Sequence, residues 1–304
     1  MMYKTKEIHV SDIINKGKHG HKEIGFLDVV VNDDNLMFID PVLLEKCSGS
    51  WFKEANETVE SFFDELYKAY RENDESKKIK LLEHAQEQNG TRLGYGKGDN
   101  GKGNTADGLR YIFSPLTVLS RDISTIKKAT DLPILIPGFS EDGLSDLLTN
   151  ILHENLNIFT GQQLRLYGFD YNTELSFWTW DRNNGCFKFV TRPSFVYEGK
   201  ELLLVPKVIV RRKYLFSTNQ YFTRVILERL RYEGMYMYDG KTLPKKDIIK
   251  QKSYSGEHWK YDETIAYTKL HDDALEEYHH SLPFFYDEEG RRPTDDELDR
   301  YIYS

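Results

Sequence analysis

Two cysteines, Cys47 and Cys186, in 304 residues are too few for a disulfide framework. No apolar run approaches the roughly 20 residues that a membrane-crossing helix needs, and the opening MMYKTKEIHV has no apolar segment of the kind a signal peptide carries. A cytoplasmic chain without membrane attachment is expected. There is no Cys-x-x-Cys pair and no G-x-S-x-G elbow, so structural zinc and the usual hydrolase serine lose their sequence basis. His271, His279 and His280 sit among acids in HDDALEEYHH, but at no recognised zinc spacing. No internal repeat or strict low-complexity segment occurs.

Aromatic residues are plentiful, with 20 Tyr and 17 Phe. Rings with a polar tip serve wet interfaces as well as cores. The net charge of -8 is unevenly placed. From His271 to Ser304 eleven acids face three arginines, which leaves residues 1–270 balanced at 38 acids and 38 bases. Contact with a polyanion would therefore come from a local basic patch, not from overall charge.

Hydrophobic periodicity predicts an α+β protein, helix-rich with a small central mixed sheet. The boundaries expected are an α+β core over 1–235 and a polar C-terminal extension over 236–304 ending in the acidic tail. DVVVNDDNLMFIDP suits a hairpin around residues 32–35. Val59, Phe62, Phe63, Leu66 and Tyr67 recur at helical spacing, and Ile79, Leu81, Leu82 and Ala85 continue after RENDES, so two helices are predicted from Trp51 to Gln88. Ala106 to Leu119 reads as helical with a bend at Pro115. LPILIP, residues 132–137, is too short for a helix and reads as a short strand. Ser140 N-caps a helix to about Glu154, and another covers Asn157 to Tyr167. Asn183-Asn184-Gly185 turns a hairpin within 177–190. ELLLVPKVIV, residues 201–210, is the clearest strand, apolar on both faces, with Pro206 implying an edge or bulge. Thr218 to Arg231 is predicted helical.

The run GKGDNGKG, residues 96–103, places Gly96, Gly101 and Lys102 at Walker A spacing, but Gly103 stands where the magnesium-binding hydroxyl belongs. It also follows a polar helix end instead of a buried strand. A nucleotide-binding protein built on this run is thus the weakest of three functional readings. The remaining role is a loop whose Lys97 and Lys102 touch a nucleic-acid backbone ahead of the Ala106 helix, where free amides accept phosphate.

Asp142, Asp146 and Asn150 stand four apart on one helix face. Carboxylates so stacked can share a hard cation with water and substrate phosphate, although Asp142 also suits the positive end of the helix dipole. Glu83 and Glu87 close the helix before the glycine run, where acids oppose the dipole. By period-two alternation Lys207 ends the row Glu201, Leu203, Val205. Between Lys207 and Arg231 seven basic residues, among them Arg211, Arg212 and Lys213, interleave with Tyr214, Phe216, Tyr221 and Phe222. Basic groups that track phosphates beside rings that stack on bases make this stretch the nucleic-acid candidate.

In order, Glu83 and Glu87 on a helix, Asp142 and Asp146 after LPILIP, and Lys207 on a long strand resemble the PD-(D/E)XK nuclease arrangement. FIDP, LGYGKGDNGKG, EDGLSD and LLLVPK also resemble stretches of uncharacterised prokaryotic phage-defence proteins. The resemblance implies a restriction-endonuclease-like fold and a magnesium-dependent, or manganese-dependent, nuclease or nuclease-like effector. Asp146, Lys207 and Glu83 would be catalytic, and Asp142, Asp146 and Glu87 would hold the metal. The rival reading is a non-catalytic nucleic-acid-binding or scaffold subunit of a defence complex. Expected partners are nucleic acid, a protein of that complex and a second copy of the chain.

Overall fold

The computed structural model describes residues 7–18, 20–85, 89–95, 105–234, 236–251, 256–288 and 292–304. Glu87, Lys97 and Lys102 lie outside them. Helices dominate, and the strands form small antiparallel pairs, so the class is α+β. Among the described residues the strands make four separate two-stranded ladders in place of the expected central mixed sheet. No described helix is long and apolar enough to cross a membrane.

The centre of the molecule is the helix Ser50–Glu72, whose Val59, Phe62, Phe63, Leu66, Tyr67 and Tyr70 are buried at the periodicity read from the sequence. RENDES stops it because Asn73 adopts a left-handed conformation, φ 57°, which Asn tolerates better than most side chains. Asp74 then caps the helix Glu75–Leu82 by accepting from the Lys77 amide. Ser140 likewise accepts from Gly143 N at the start of Glu141–Ile151, and His153–Leu166 follows directly. Around Pro115 the chain forms two helices, Ala106–Ile112 and Leu116–Asp122, with the proline at the second N-cap.

The hairpin is longer than the sequence suggested: Thr173–Asp181 pairs with Cys186–Ser194, and Trp178 lies opposite Phe189. Gly185, at φ 59°, closes its turn. Its inner side rests on His153–Leu166, with the Phe177 ring stacked 3.8 Å from His153 and the Thr179 hydroxyl accepting from Glu154 N.

Three expectations are corrected. LPILIP is mostly helical, within Asp131–Leu135; Pro133 sits in the first turn, where its missing N–H costs nothing. ELLLVPKVIV is not a continuous strand. Leu202 to Val205 are buried on all sides but bond singly to Phe195, Gly90, Thr160 and Leu27, and Lys207–Ile209 is a short 3-10 turn. The apolar row was read correctly as covered on both faces, yet its neighbours are helices and loops that offer no ladder. Around residues 32–35 no hairpin ladder forms, because the Asn35 side chain bonds both Val30 N and Val30 O, while Phe38–Ile39 pairs with Val210–Arg211.

Among the described residues one hydrophobic cluster extends from Val10 to Ile302 and takes in Ala274, Leu275, Tyr278, Leu282, Tyr286 and Leu298. The C-terminal helices Trp259–Leu270, Asp273–Glu288 and Asp295–Ile302 therefore share the core of the body.

Candidate functional site

The helix Glu141–Ile151 packs on the strand Phe38–Ile39, which leads through Asp40 into the helix Pro41–Lys46. Asp40 caps that second helix, accepting from Val42 N and Leu43 N, and is fully buried. It also accepts from the Tyr286 hydroxyl at 2.7 Å, with the Arg211 guanidinium 3.9 Å away. Burial pushes its carboxyl up to about 6, with the Tyr286 bond and Arg211 holding it lower than burial alone would. Tyr214 bonds the carbonyls of Ile39 and Glu141, and its ionisation is pushed far up by burial and by Asp40, Glu141, Asp146 and Asp142 together. Acids of two segments, Asp40 and the helix Glu141–Ile151, thus act on one buried phenol. Tyr95, the last described residue before the glycine run, donates to Glu141 at 3.1 Å. Gly94 carries φ 142°, and a Cβ there would stand 2.9 Å from an Asp142 oxygen, so glycine lets that carboxylate lie against the backbone.

The other two expected members lie elsewhere. Lys207 donates to the His21 carbonyl and pairs with Asp295 at 2.7 Å, in the dock of the last helix. Its position on a 3-10 turn, not on a strand, points it there. Glu83 sits just past the helix Glu75–Leu82 and lines a groove with Lys80, His84 and Trp178. Among the described residues no group of three or more His, Cys, Asp or Glu side chains is arranged to hold a metal ion. The structure brings Asp142 and Asp146 together and separates them from Lys207 and Glu83.

The basic stretch also folds differently from its reading. Tyr214, Phe216, Tyr221 and Phe222 are all buried, so none offers a face to a base. Five of its seven cations meet the C-terminal helices. Lys207 meets Asp295, Arg211 lies over the Tyr286 ring, Arg212 over Tyr301 and Arg224 over Phe285, while Arg229 bonds Asp273 and Glu277. Arg212 and Lys213 keep exposed side chains. The last helix is held further by His21, whose Nδ1 lies 2.6 Å from Asp299, and by Tyr303, which donates to Asp28 at 2.6 Å. Because His21 Nε2 accepts from Asp28 N, Nδ1 carries the proton and donates to Asp299.

An open aromatic surface stands on the outer side of the hairpin, which sequence reasoning did not single out. Trp180 and Phe187 on that side are covered by Phe62, with Trp180 5.1 Å from it. One step along, Trp178 and Phe189 are 40% and 59% exposed. The His84 ring lies parallel to Trp178 at 3.7 Å and 11°. The available signal was the alternation SFWTWD opposite CFKFV, which puts Trp178, Trp180, Phe187 and Phe189 on one side. It did not reveal where the covering helix ends.

Fold and surfaces define a helix-rich α+β protein with an acid-lined tyrosine and an aromatic hairpin. The chain belongs to the family of DUF8370, a domain of unknown function, whose model matches residues 17–217. No curated protein and no solved structure matches it. The matched span contains the hairpin and the acid-bearing helix, and the helices that cover the basic stretch lie beyond it.

Proposed function

We propose that this chain is a nucleic-acid-binding protein that acts by contact, as a subunit of a larger complex. The observation that carries this reading is the partly exposed Trp178–Phe189 pair, with His84 stacked on Trp178 and Lys80 exposed at the rim of the same groove. Stacking of a base on such rings is worth about 1–3 kcal/mol per base. Contiguous exposed apolar groups mark an interaction surface where singly exposed ones do not, and these two rings are neighbours across the hairpin. The bacterial defence setting follows from the resemblance of FIDP, LGYGKGDNGKG, EDGLSD and LLLVPK. Fluorescence anisotropy with labelled DNA and RNA at low salt tests the reading. Binding that weakens as salt rises is expected, and absence of binding to either polymer would sink it.

A cleavage reading keeps one supporting observation, the four-residue spacing of Asp142 and Asp146 on one helix that both act on the buried Tyr214. Magnesium or manganese would there be held by the two carboxylates and completed by water and substrate phosphate. The pair fits only that shared mode, since no third ligand joins it among the described residues. Incubation of DNA and RNA with either metal, beside Asp146→Ala, decides this. Cleavage that survives in the variant removes the site, and no cleavage removes the activity.

A further inference from the structure

We propose that the groove between the helix Glu75–Leu82 and the hairpin seats one unpaired nucleobase of a single-stranded nucleic acid. The base extends the Trp178–His84 stack, turns its donor edge to Glu83 and leaves its phosphate at Lys80. This inference rests on the nucleic-acid-binding reading and names its substrate class.

The groove measures about 440 Å³ and is lined by Ser76, Lys80, Glu83, His84, Trp178 and Cys186, among others. That volume lies within the range of roughly 300–1,000 Å³ usual for ligand sites. The Trp178 and His84 rings are already parallel, so a third flat ring joins a stack that costs nothing to assemble. Burial lowers the His84 pKa, against the neighbouring Glu83, which raises it. Of the charged lining groups, Lys77 is engaged by Glu65, Asp74 caps the helix, and Glu83 has a contact of its own, its two carboxylate oxygens offering more lone pairs than one contact uses. Lys80 is exposed at the rim, placed for a phosphate.

A carboxylate accepts hydrogen bonds and donates none. Glu83 therefore favours the amino-bearing edges of guanine, adenine or cytosine over thymine or uracil, whose single ring N–H is flanked by carbonyls. In a duplex these edges are paired and the faces are stacked, so duplex is excluded.

The test measures anisotropy of short labelled single strands of differing base content and of the matched duplex, against the full chain and its variants. Trp178→Ala is expected to weaken single-strand binding about five- to 150-fold, and Trp178→Phe to retain most of it. Glu83→Gln is expected to erase the preference against thymine, and Lys80→Ala to weaken all strands alike. Unchanged affinity in Trp178→Ala overturns the groove while nucleic-acid binding stands. Duplex bound as tightly as single strand overturns the unpaired base, and no binding by the unaltered chain overturns both readings. Alkylation of Cys186 in the unaltered chain, mapped by mass spectrometry, gives a second measure that needs no variant. Protection by single strand and not by duplex is expected, and an unprotected Cys186 overturns the seat.

Discussion

The basic stretch 207–231 and the hairpin 173–194 use the same alphabet, aromatics interleaved with lysine and arginine, and fold to opposite outcomes. In the first the rings go inward and most of the cations are met by the C-terminal helices. In the second, two rings of one row are covered and the next two are open. The difference lies in what covers the rings. Tyr221 and Phe222 sit on helical turns packed into the core and Tyr214 and Phe216 in the loop before them are buried with them, whereas a two-stranded ribbon is covered only where a third element reaches it. An aromatic-basic composition thus marks a nucleic-acid surface only when the covering elements are known.

The sharpest way to break that comparison is to remove one ring from each region. Phe222 is fully buried, so Phe222→Ala is expected to cost about 3–5 kcal/mol of unfolding free energy. Phe189→Ala, at an open position, is expected to change stability by no more than about 0.5 kcal/mol. Chemical denaturation measures both. A large loss from Phe189→Ala would mean that the ring is a packing group and not a contact surface.

Next in size is Asp40, through which Tyr286 of the C-terminal extension and Arg211 of the basic stretch meet. Its carboxyl is raised from 3.8 to about 6 by burial. Between those values the folded state keeps a proton that the unfolded state has lost, so this group's contribution to stability falls as pH rises through the window. The full effect is roughly 3 kcal/mol at most. His21 and Asp299 act in the opposite sense. Both pKa values are lowered in the folded state, His21 by burial and Asp299 by its bonds from His21, which outweigh burial. Their contributions are therefore lost as pH falls. Asp40→Asn keeps a good N-cap and removes only the Asp40 arm. From pH 7 down to pH 4 the unaltered chain is expected to gain stability relative to Asp40→Asn. A constant difference across that range would contradict the buried, raised carboxyl.

What the sequence made legible follows the same physics. The helices Ser50–Glu72 and Glu141–Ile151 and the hairpin carry their own signals, a 3.6 period, a capping serine and an Asn-Gly turn, and each formed close to where it was read. The row Leu202 to Val205 announced its burial but not its partners, since burial is a property of side chains and a ladder belongs to two segments. The convergence of Asp142 and Asp146 was legible from four-residue spacing on one helix. That Asp40 meets Tyr286, and that Lys207 turns away to Asp295, depends on contacts across eighty residues or more of chain, which no local period encodes. Glu83 was found for the wrong partners: its place at a helix end was legible, and the Trp178 that shares its groove was not.

The smallest effect sharpens the comparison most directly. Arg229 bonds Asp273 and Glu277, both of them solvent-exposed, at 2.9 and 2.7 Å. Such pairs contribute at most about 1 kcal/mol together, and less as salt rises. Asp273→Asn combined with Glu277→Gln frees the Arg229 cation without touching the buried Tyr278 or Tyr286. If the extension merely completes the core, the double variant loses a fraction of a kcal/mol and binds single strands as before. If the extension hides a phosphate-binding strip, the freed cation adds a contact, and the slope of log affinity against log salt steepens by about 0.7 for a single strand. The packing of helix Asp273–Glu288 into the common core, with Ala274, Leu275, Tyr278 and Leu282 all buried, leads us to expect the first outcome. An unchanged salt slope would then assign the basic stretch to the fold and leave nucleic-acid contact to the hairpin.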